Sequence, residues 1–291
     1  MTTATTRELI ELAVAAGGAV PAFNVITLEH AEGVIDGLTR AGSAGILQVS
    51  ERALRFHGET NTPILAACAR LIAAADVPVA LHLDHIEDLD LATALIDSAH
   101  EFYVSSIMVD FATLEREANV HSTRAAVALA HQGGLFVEAE LGEIGGKDGA
   151  HAHGARTDAD DARVFVGETG VDALAVAIGS SHAMTSRTAE LDLDLLARLV
   201  SSVPVPLVLH GSSGVSDVEL TAAIAAGIRK VNVGTALTVA FTAAIRRVLE
   251  SDASVTDPRD YLREARNAVS DTVVEFCRVV RSGASPEGVQ K

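Results

Sequence analysis

The sequence predicts an α/β protein with a (β/α)8 TIM-barrel fold and extra helices at the C-terminal end. Short apolar, β-branched runs recur at intervals of roughly 25–40 residues, with segments of helical periodicity between them. The runs are continuously apolar, which indicates strands buried on both faces, as in a parallel sheet. Eight such units in 291 residues match a barrel, which typically takes about 250 residues. A doubly wound open sheet is the alternative fold.

Each predicted strand has an apolar interior and polar residues at its carboxyl end. In order, the predicted strands are Ala19–Asn24, Ala44–Ser50, Val77–Asp84, Tyr103–Asp110, Leu135–Leu141, Ala173–Ile178, Pro206–Leu209 and Lys230–Val233. Helical periodicity is clearest in Thr62–Ala75, Leu89–Ala99, Val120–His131, Asp192–Val200 and Asp217–Ala226. Residues from Val239 onward are predicted to form the last barrel helix and the C-terminal helices, with a break at Asp257–Pro258.

The chain is predicted to form a single domain. No break in composition divides residues 1–291. The polar, glycine-rich segment Gly142–Asp161 interrupts the regular alternation after the fifth strand. A loop of this length in a compact domain is usually functional. We therefore expect a mobile active-site loop at about residues 142–161.

The charge balance argues against several classes of function. The chain carries 39 acidic and 22 basic residues, a formal net charge of −17, and 3% aromatic residues. A nucleic-acid partner would need clustered Lys and Arg. A hydrophobic fraction of 48% excludes disorder. Since no signal peptide and no apolar run of about 18 residues is visible, we expect a cytoplasmic protein with no membrane partner.

The carboxyl ends of the strands are the informative part of the sequence, because a barrel carries its active site there. Strands one to four end in Asn24, Ser50, His82 with Asp84–His85, and Asp110. Strand five carries Glu138 and Glu140, and strands six to eight lead into Gly179–His182, His210–Gly214 and Asn232–Thr235. A barrel without a site at this end would not need polar residues after all eight strands.

Three of these residues suggest a metal centre. His85, His182 and His210 converge at one mouth, and three imidazoles with an open position are typical of catalytic zinc. Asp84 is a candidate general base or a group that orients a ligating histidine. His82 and Asp84 share a face by the period of two. Glu140 is a candidate alternate zinc ligand.

Two further patterns concern charge. Glu138 and Glu140 point into the barrel, which is costly without a cation or another partner. The chain has three lysines, and Lys230, at the predicted start of strand eight, lies away from the mouth. A Schiff-base mechanism needs a lysine in the site, so a metal is the expected electron sink.

The turns Gly211–Gly214 and Asn232–Thr235 follow strands seven and eight, where barrels recurrently bind phosphate.

Five motifs taken together resemble the zinc-dependent class II ketose-bisphosphate aldolases of the fructose- and tagatose-bisphosphate type. These motifs are LHLDH at 81–85, VEAELGEIGG at 137–146, AIGSSH at 177–182, LVLHGSSGV at 207–215 and KVNVGT at 230–235. The resemblance implies a lyase that cleaves a ketose 1,6-bisphosphate into dihydroxyacetone phosphate and an aldehyde. It also implies zinc, a monovalent cation (Na+ or K+) and a homodimer or homotetramer.

The resemblance also implies roles for individual residues. Zinc is held by His85, His182 and His210, with Glu140 at an alternate zinc position. Asp84 moves the proton of the C4 hydroxyl. The substrate contacts are Asn24, Ser50, Gly179, Ala183, Gly211, Ser212, Ser213, Asn232, Val233, Gly234 and Thr235. Gly179 lies near the monovalent cation, and Ser50 lies toward the second phosphate. From the residues alone, Arg52 and Arg55 are as plausible for that phosphate as the C-terminal arginines Arg259, Arg278 and Arg281.

Several positions depart from the family pattern near the substrate. Asp148 stands where the mobile loop usually carries a catalytic glutamate. Ala183, Ile86, Ala112 and Thr238 also differ from the usual residues, and Gly234 replaces an aspartate of many fructose-bisphosphate enzymes. Three alternatives therefore stay open. They are an aldolase for another phosphorylated sugar, such as a deoxy-keto-gluconate phosphate, a weakened aldolase, and a non-catalytic sugar-phosphate-binding homologue.

Overall fold

Eight parallel strands close into a barrel in the order β1 to β8, so the open-sheet alternative is wrong. The structure is a computed structural model, and it describes residues 3–58, 63–141, 156–181 and 184–283. The strands are β1 Val20–Asn24, β2 Gly45–Ser50, β3 Val79–Ile86, β4 Val104–Val109, β5 Phe136–Glu140, β6 Ala173–Ala175, β7 Leu207–Leu209 and β8 Ile228–Val233. Each pairs in parallel with its neighbours, and β8 closes on β1.

Helices follow the strands as the alternation predicted. They are α1 Thr6–Ala15, α2 Leu28–Ala41, α3 Glu51–His57, α4 Pro63–Ala74, α5 Leu89–Ser98, α6 Arg116–Gln132, α7 Ala159–Thr169, α8 Leu193–Ser202, α9 Asp217–Ala226, α10 Thr235–Ser251 and α11 Pro258–Ser282. Asp257 caps α11 by accepting a hydrogen bond from the backbone N–H of Arg259. The break predicted at Asp257–Pro258 is therefore a helix start.

The predicted sixth strand was too long. The apolar run continues to Ile178, but β6 ends at Ala175. Beyond it, the backbone N–H of Ala177 donates to Thr157 Oγ1 at 2.8 Å, and the carbonyl of Ala177 accepts from the Thr157 N–H. Ala177 is buried but satisfies its hydrogen bonds outside the ladder, which an apolar pattern alone does not reveal.

The apolar core has two parts, separated by the wall of the barrel. The larger part packs between the strands and the surrounding helices. The smaller fills the amino-terminal half of the barrel, where Leu9 and Ile10 of α1 meet Ile46, Ala80 and Met108. Helix α1 thus closes the floor of the barrel and leaves the opposite end open.

The C-terminal helix α11 packs along α2 and α10. The approach to α2 is close because two glycines face it. A Cβ at Gly33 would lie 2.7 Å from the Arg266 carbonyl oxygen, and one at Gly37 would lie 2.6 Å from the Val273 Cβ. In the described part of the chain, none of the helices is long and apolar enough to cross a membrane.

Candidate active site

A cavity of ≈ 340 Å³ opens at the carboxyl end of the barrel and gathers most of the residues singled out from the sequence. The predicted residues that line it are Asn24, Ser50, Asp84, His85, His210, Gly211, Ser213, Asn232, Gly234 and Thr235, together with Arg52 and Thr238. Gly179, Ser212 and Val233 lie near this end without lining the cavity. The candidates Asp148, His182 and Ala183 lie outside the described residues.

Three of the lining or neighbouring side chains form a cluster with the chemistry of a metal site. One potential ligand atom each from His85, Glu140 and His210 lies within 4.8 Å of the other two. His85 Nε2 and His210 Nδ1 are 3.0 Å apart. Two Zn–N bonds at a tetrahedral angle would place their nitrogens about 3.3 Å apart. The spacing of the two imidazoles therefore fits a shared zinc ion.

The opposite edges of both imidazoles contact carboxylates. His85 Nδ1 lies 2.7 Å from Asp110 Oδ2, and His210 Nε2 lies 2.9 Å from Glu138 Oε1. A carboxylate accepts the N–H of a neutral imidazole, so each ring then directs its lone pair toward the other ring. Two lone pairs at this distance need a cation between them, and either a metal ion or a proton on one of the two rings can fill that position. The hydrogen bonding thus fits a metal ion as well as the spacing does.

Glu138 is neutralised by Lys230. Lys230 Nζ donates to Glu138 Oε2 at 2.7 Å, and both side chains are almost completely buried. Lys230 was expected at the strand start and away from the mouth, but β8 begins at Ile228 and the Lys230 side chain reaches the interior. The cation that Glu138 was expected to need is this lysine. Lys230 and Asn232 are two positions apart on β8, so their side chains point to the same face of the strand. This spacing could have predicted that Lys230 points into the barrel.

His85 reaches the cavity because β3 is irregular. Asp84 and His85 are consecutive, so a regular strand would direct them to opposite faces. The pairing of β3 with β4 shifts register between Leu83 and Ile86, and His85 has φ +48°. A positive φ is uncommon for a residue with a Cβ. This local conformation places the candidate base and the candidate metal ligand in one cavity.

Asp84 is buried and held in place by an amide. Asn24 Nδ2 donates to Asp84 Oδ2 at 2.7 Å, and Gln48 Nε2 donates to Asn24 Oδ1 at 3.1 Å. Burial alone would raise the pKa of Asp84, but His85, His210, Lys230 and the Asn24 hydrogen bond lower it below its ordinary value. Asp84 is therefore ionised and able to accept a proton near neutral pH.

The turn after β7 brings backbone close to the cavity. Gly211 has φ +67°, and a Cβ there would lie 2.5 Å from the Ser181 carbonyl oxygen. Ser213 Oγ accepts a hydrogen bond from the backbone N–H of Ala236, which joins this turn to the first turn of α10. Helix α10 begins at Thr235 beside this turn, and the positive end of a helix dipole favours anions.

Arg52 and Arg55, the two arginines next to Ser50 that were considered for the second phosphate, differ in their surroundings. Arg55 is engaged with Glu51 at 2.8 Å and with Asp88 at 3.4 Å. Arg52 instead lines the cavity, on the same side as Ser50. Of the two, Arg52 is therefore the one that a ligand in the cavity could contact.

Comparison with known proteins gives a consistent result over nearly the whole chain. Residues 4–284 match the family model "Fructose-bisphosphate aldolase class-II". The chain is 35% identical over 267 residues to the D-tagatose-1,6-bisphosphate aldolase subunit GatY of Klebsiella oxytoca, covering 90% of this chain and 92% of that protein.

Solved structures agree with this assignment. The YdjI aldolase of Escherichia coli K12 superimposes with a TM-score of 0.81 at 32% identity, covering 96% of this chain and 98% of that one. Fructose-bisphosphate aldolase from Campylobacter jejuni superimposes with a TM-score of 0.80 at 21% identity, covering 96% of each chain. At that lower identity the second similarity concerns the fold alone.

Proposed function

The chain belongs to the class II fructose-bisphosphate aldolase family of zinc-dependent carbon–carbon lyases, and we propose that it cleaves a ketose 1,6-bisphosphate to dihydroxyacetone phosphate and a phosphorylated aldehyde. One observation carries the proposal. The buried carboxylate of Asp84 lies in the same cavity as His85 and His210 and beside a turn suited to phosphate. A base, a metal site and an anion site within one cavity are the parts that a metal-dependent aldol cleavage needs.

We assign the zinc ion to His85 and His210, with Glu140 as an alternate ligand and His182 as the third histidine by resemblance. Bound zinc would supply a Lewis acid that polarises the substrate carbonyl. Asp110 and Glu138 serve to orient the two imidazoles, because each accepts the N–H of the edge that faces away from the metal site.

We assign the proton transfer at C4 to Asp84. An ionised carboxylate fixed by Asn24 can take the proton of the C4 hydroxyl as the C3–C4 bond breaks, and can return it in the condensation direction. Asp148 is retained as the proposed proton donor to C3. An aspartate is one methylene shorter than the glutamate of the family pattern, so its reach depends on the position of the loop.

We assign the two phosphates to opposite sides of the cavity. Backbone N–H groups and hydroxyls of Gly211–Ser213 and Asn232–Thr235 would take the phosphate of the dihydroxyacetone half. Gly179, with φ +127°, is the proposed backbone contact near a monovalent cation. Ser50 and Arg52 would take the second phosphate, since Arg55 is already paired with carboxylates.

The sugar is proposed as a fructose- or tagatose-type ketose bisphosphate. The similarity to a tagatose-bisphosphate aldolase subunit and the glycine at position 234 favour the tagatose stereochemistry at C4. A phosphorylated deoxy-keto sugar acid is the second candidate substrate, because the departures from the family pattern lie around the substrate rather than at the metal ligands. We also predict a homodimer or homotetramer.

A retro-aldol assay tests this function. Zinc-loaded protein is incubated with fructose 1,6-bisphosphate, tagatose 1,6-bisphosphate and a phosphorylated deoxy-keto-gluconate, and release of dihydroxyacetone phosphate is followed by a coupled dehydrogenase. We expect cleavage of one ketose bisphosphate, its loss with a chelator, and recovery with zinc. If the protein with full zinc occupancy cleaves none of these substrates, the proposed activity is wrong and a sugar-phosphate-binding protein is the better hypothesis.

A further inference from the structure

A row of buried polar side chains lies beneath Asp84 and plays no part in the reaction assigned above. His82 is 0% exposed in an otherwise mostly apolar strand. Its Nδ1 lies 2.7 Å from Ser106 Oγ, and Ser106 Oγ lies 2.5 Å from Thr6 Oγ1 of α1. One edge of the ring is thus fixed by hydroxyl groups from β4 and from the floor of the barrel.

The other edge of the ring faces Asp84. His82 Nε2 has no hydrogen-bond partner among the described residues, and neither has Asp84 Oδ1, which lies 3.9 Å away. Gln48, paired with His82 in the sheet register, carries a third such buried atom, Oε1. Each buried polar group left without a partner costs about 1–3 kcal/mol, so the two facing atoms His82 Nε2 and Asp84 Oδ1 indicate a shared partner.

The distance identifies what that partner is. At 3.9 Å the two atoms are too far apart for a direct hydrogen bond, which needs about 2.7–3.2 Å between heavy atoms. A water molecule that touches both atoms suits this separation. A water also has the required groups, because it can accept from His82 Nε2 and donate to Asp84 Oδ1.

The ring is set up to be the donor. Burial, and after it the charge of Lys230, holds the pKa of His82 well below its ordinary value, so the imidazole is neutral and carries a single N–H. When the Ser106 hydroxyl donates to Nδ1, that N–H is on Nε2 and points to the side of Asp84. In this arrangement Ser106 accepts from the Thr6 hydroxyl and donates to His82, so the hydroxyl groups and the ring form one directed series of hydrogen bonds.

We propose that His82 is a positioning residue for Asp84, acting through one buried water that bridges His82 Nε2 and Asp84 Oδ1. Asp84 is then held at both oxygens, by Asn24 at Oδ2 and by the water at Oδ1. The role rests on the proposed function, since it concerns the group that moves the C4 proton. The water itself is a structural site that does not depend on which reaction the protein catalyses.

The water site is tested by a crystal structure of the zinc-loaded protein. We expect electron density for a water within about 2.6–3.2 Å of both His82 Nε2 and Asp84 Oδ1. Density that shows the two side chains bonded to other groups, with no water between them, would overturn the proposal whatever the enzyme's activity.

The positioning role is tested by a matched pair of variants, His82→Leu and His82→Gln, assayed on the ketose bisphosphate that the wild-type protein cleaves. Leucine has no N–H for the water, whereas the glutamine amide can still donate. We expect His82→Leu to lower kcat by about 10²-fold, since small displacements of a catalytic group have effects of this size. KM and the zinc Kd should be unchanged, and His82→Gln should recover most of kcat.

A purely structural role would give a different pattern. It would lower the melting temperature, the zinc content and kcat together, and His82→Gln would not recover them. That result overturns the proposal. An unchanged kcat in His82→Leu overturns it as well. Should His82→Leu fail to fold, Ser106→Ala removes the donor to Nδ1 while keeping the ring, and its kcat must fall at unchanged KM. If the wild-type protein cleaves no substrate, the proposed function fails, while the water in the crystal structure still decides the inference.

Discussion

The two halves of the barrel interior differ in how their side chains are held. The amino-terminal half is filled by apolar residues such as Ala22, Ile46 and Met108, which pack on α1. The carboxyl-terminal half is filled by ionisable and amide groups, and there Asp110 contacts His85 while Lys230 contacts Glu138. Burial stabilises the first half without directional requirements, whereas the second depends on each charge keeping its partner.

This difference indicates a division between folding and chemistry along a single barrel. Changes in the apolar half should alter the free energy of unfolding and leave zinc binding and kcat alone. Changes in the polar half should alter kcat or zinc binding. Lys230 belongs to both groups, because it is buried like a core residue and neutralises a carboxylate that contacts a candidate zinc ligand.

The largest effect is expected from Asp84→Asn. The amide preserves the shape of the side chain but cannot take a proton from the C4 hydroxyl, so kcat should fall by about 10²–10⁴-fold. The zinc Kd, measured by competition with a chromophoric chelator, should not change. A variant that keeps wild-type kcat would show that Asp84 is not the base.

Lys230→Met should have the largest effect on folding. It leaves Glu138 buried without its cation, and breaking a buried ion pair costs about 3–5 kcal/mol. Urea unfolding of the metal-free protein measures this loss. The double variant Lys230→Met/Glu138→Leu removes both charges and should recover much of the stability, but its zinc binding should stay weak because His210 has lost its carboxylate. Equal stability of the single and double variants would contradict the charge argument.

Ile46→Ala tests the apolar half. Ile46 is 0% exposed in the lower barrel, and truncation of a buried isoleucine costs about 2–5 kcal/mol. The expected result is a lower urea midpoint with kcat, KM and zinc Kd as in the wild-type protein. A parallel loss of zinc affinity would show that the two halves are coupled more tightly than their contacts suggest.

The smallest of the four effects is expected from Asp110→Asn. Loss of the carboxylate that orients a metal-binding histidine typically weakens metal binding by about 10–100-fold. Met108→Leu, two residues earlier on β4, is the matched control, because a volume-conserving core change costs less than about 1.5 kcal/mol and touches no ligand. Equal zinc Kd values for these two variants would exclude an orienting role for Asp110.

Much of the fold could be predicted from periodicity, because parallel strands buried on both faces have a composition that is easy to recognise. The polar residues after the strands then located the cavity, since every parallel strand of a barrel ends at the same rim. The end of β6 could not be predicted, because Ala177 remains buried while its backbone bonds to Thr157.

The partners inside the barrel were harder to predict than its rim. Lys230 was misplaced because the first residue of β8 was set two positions too late, at Lys230 instead of Ile228. The way His85 reaches the cavity depends on a register shift and a positive φ, neither of which has a sequence signature here. The zinc role of His182 and the role of Asp148 stay predictions.

The irregular turn of β3 has a mechanical consequence. Asp84 and His85 are neighbours in the chain, so their Cα atoms are joined by one peptide unit with a fixed span of about 3.8 Å. Bending of the barrel therefore cannot change the distance between these two Cα atoms, while the φ of His85 sets the directions of the two side chains. Deleting a single residue from this turn would restore a regular strand and rotate one of the two out of the cavity, a larger change than most side-chain substitutions could cause.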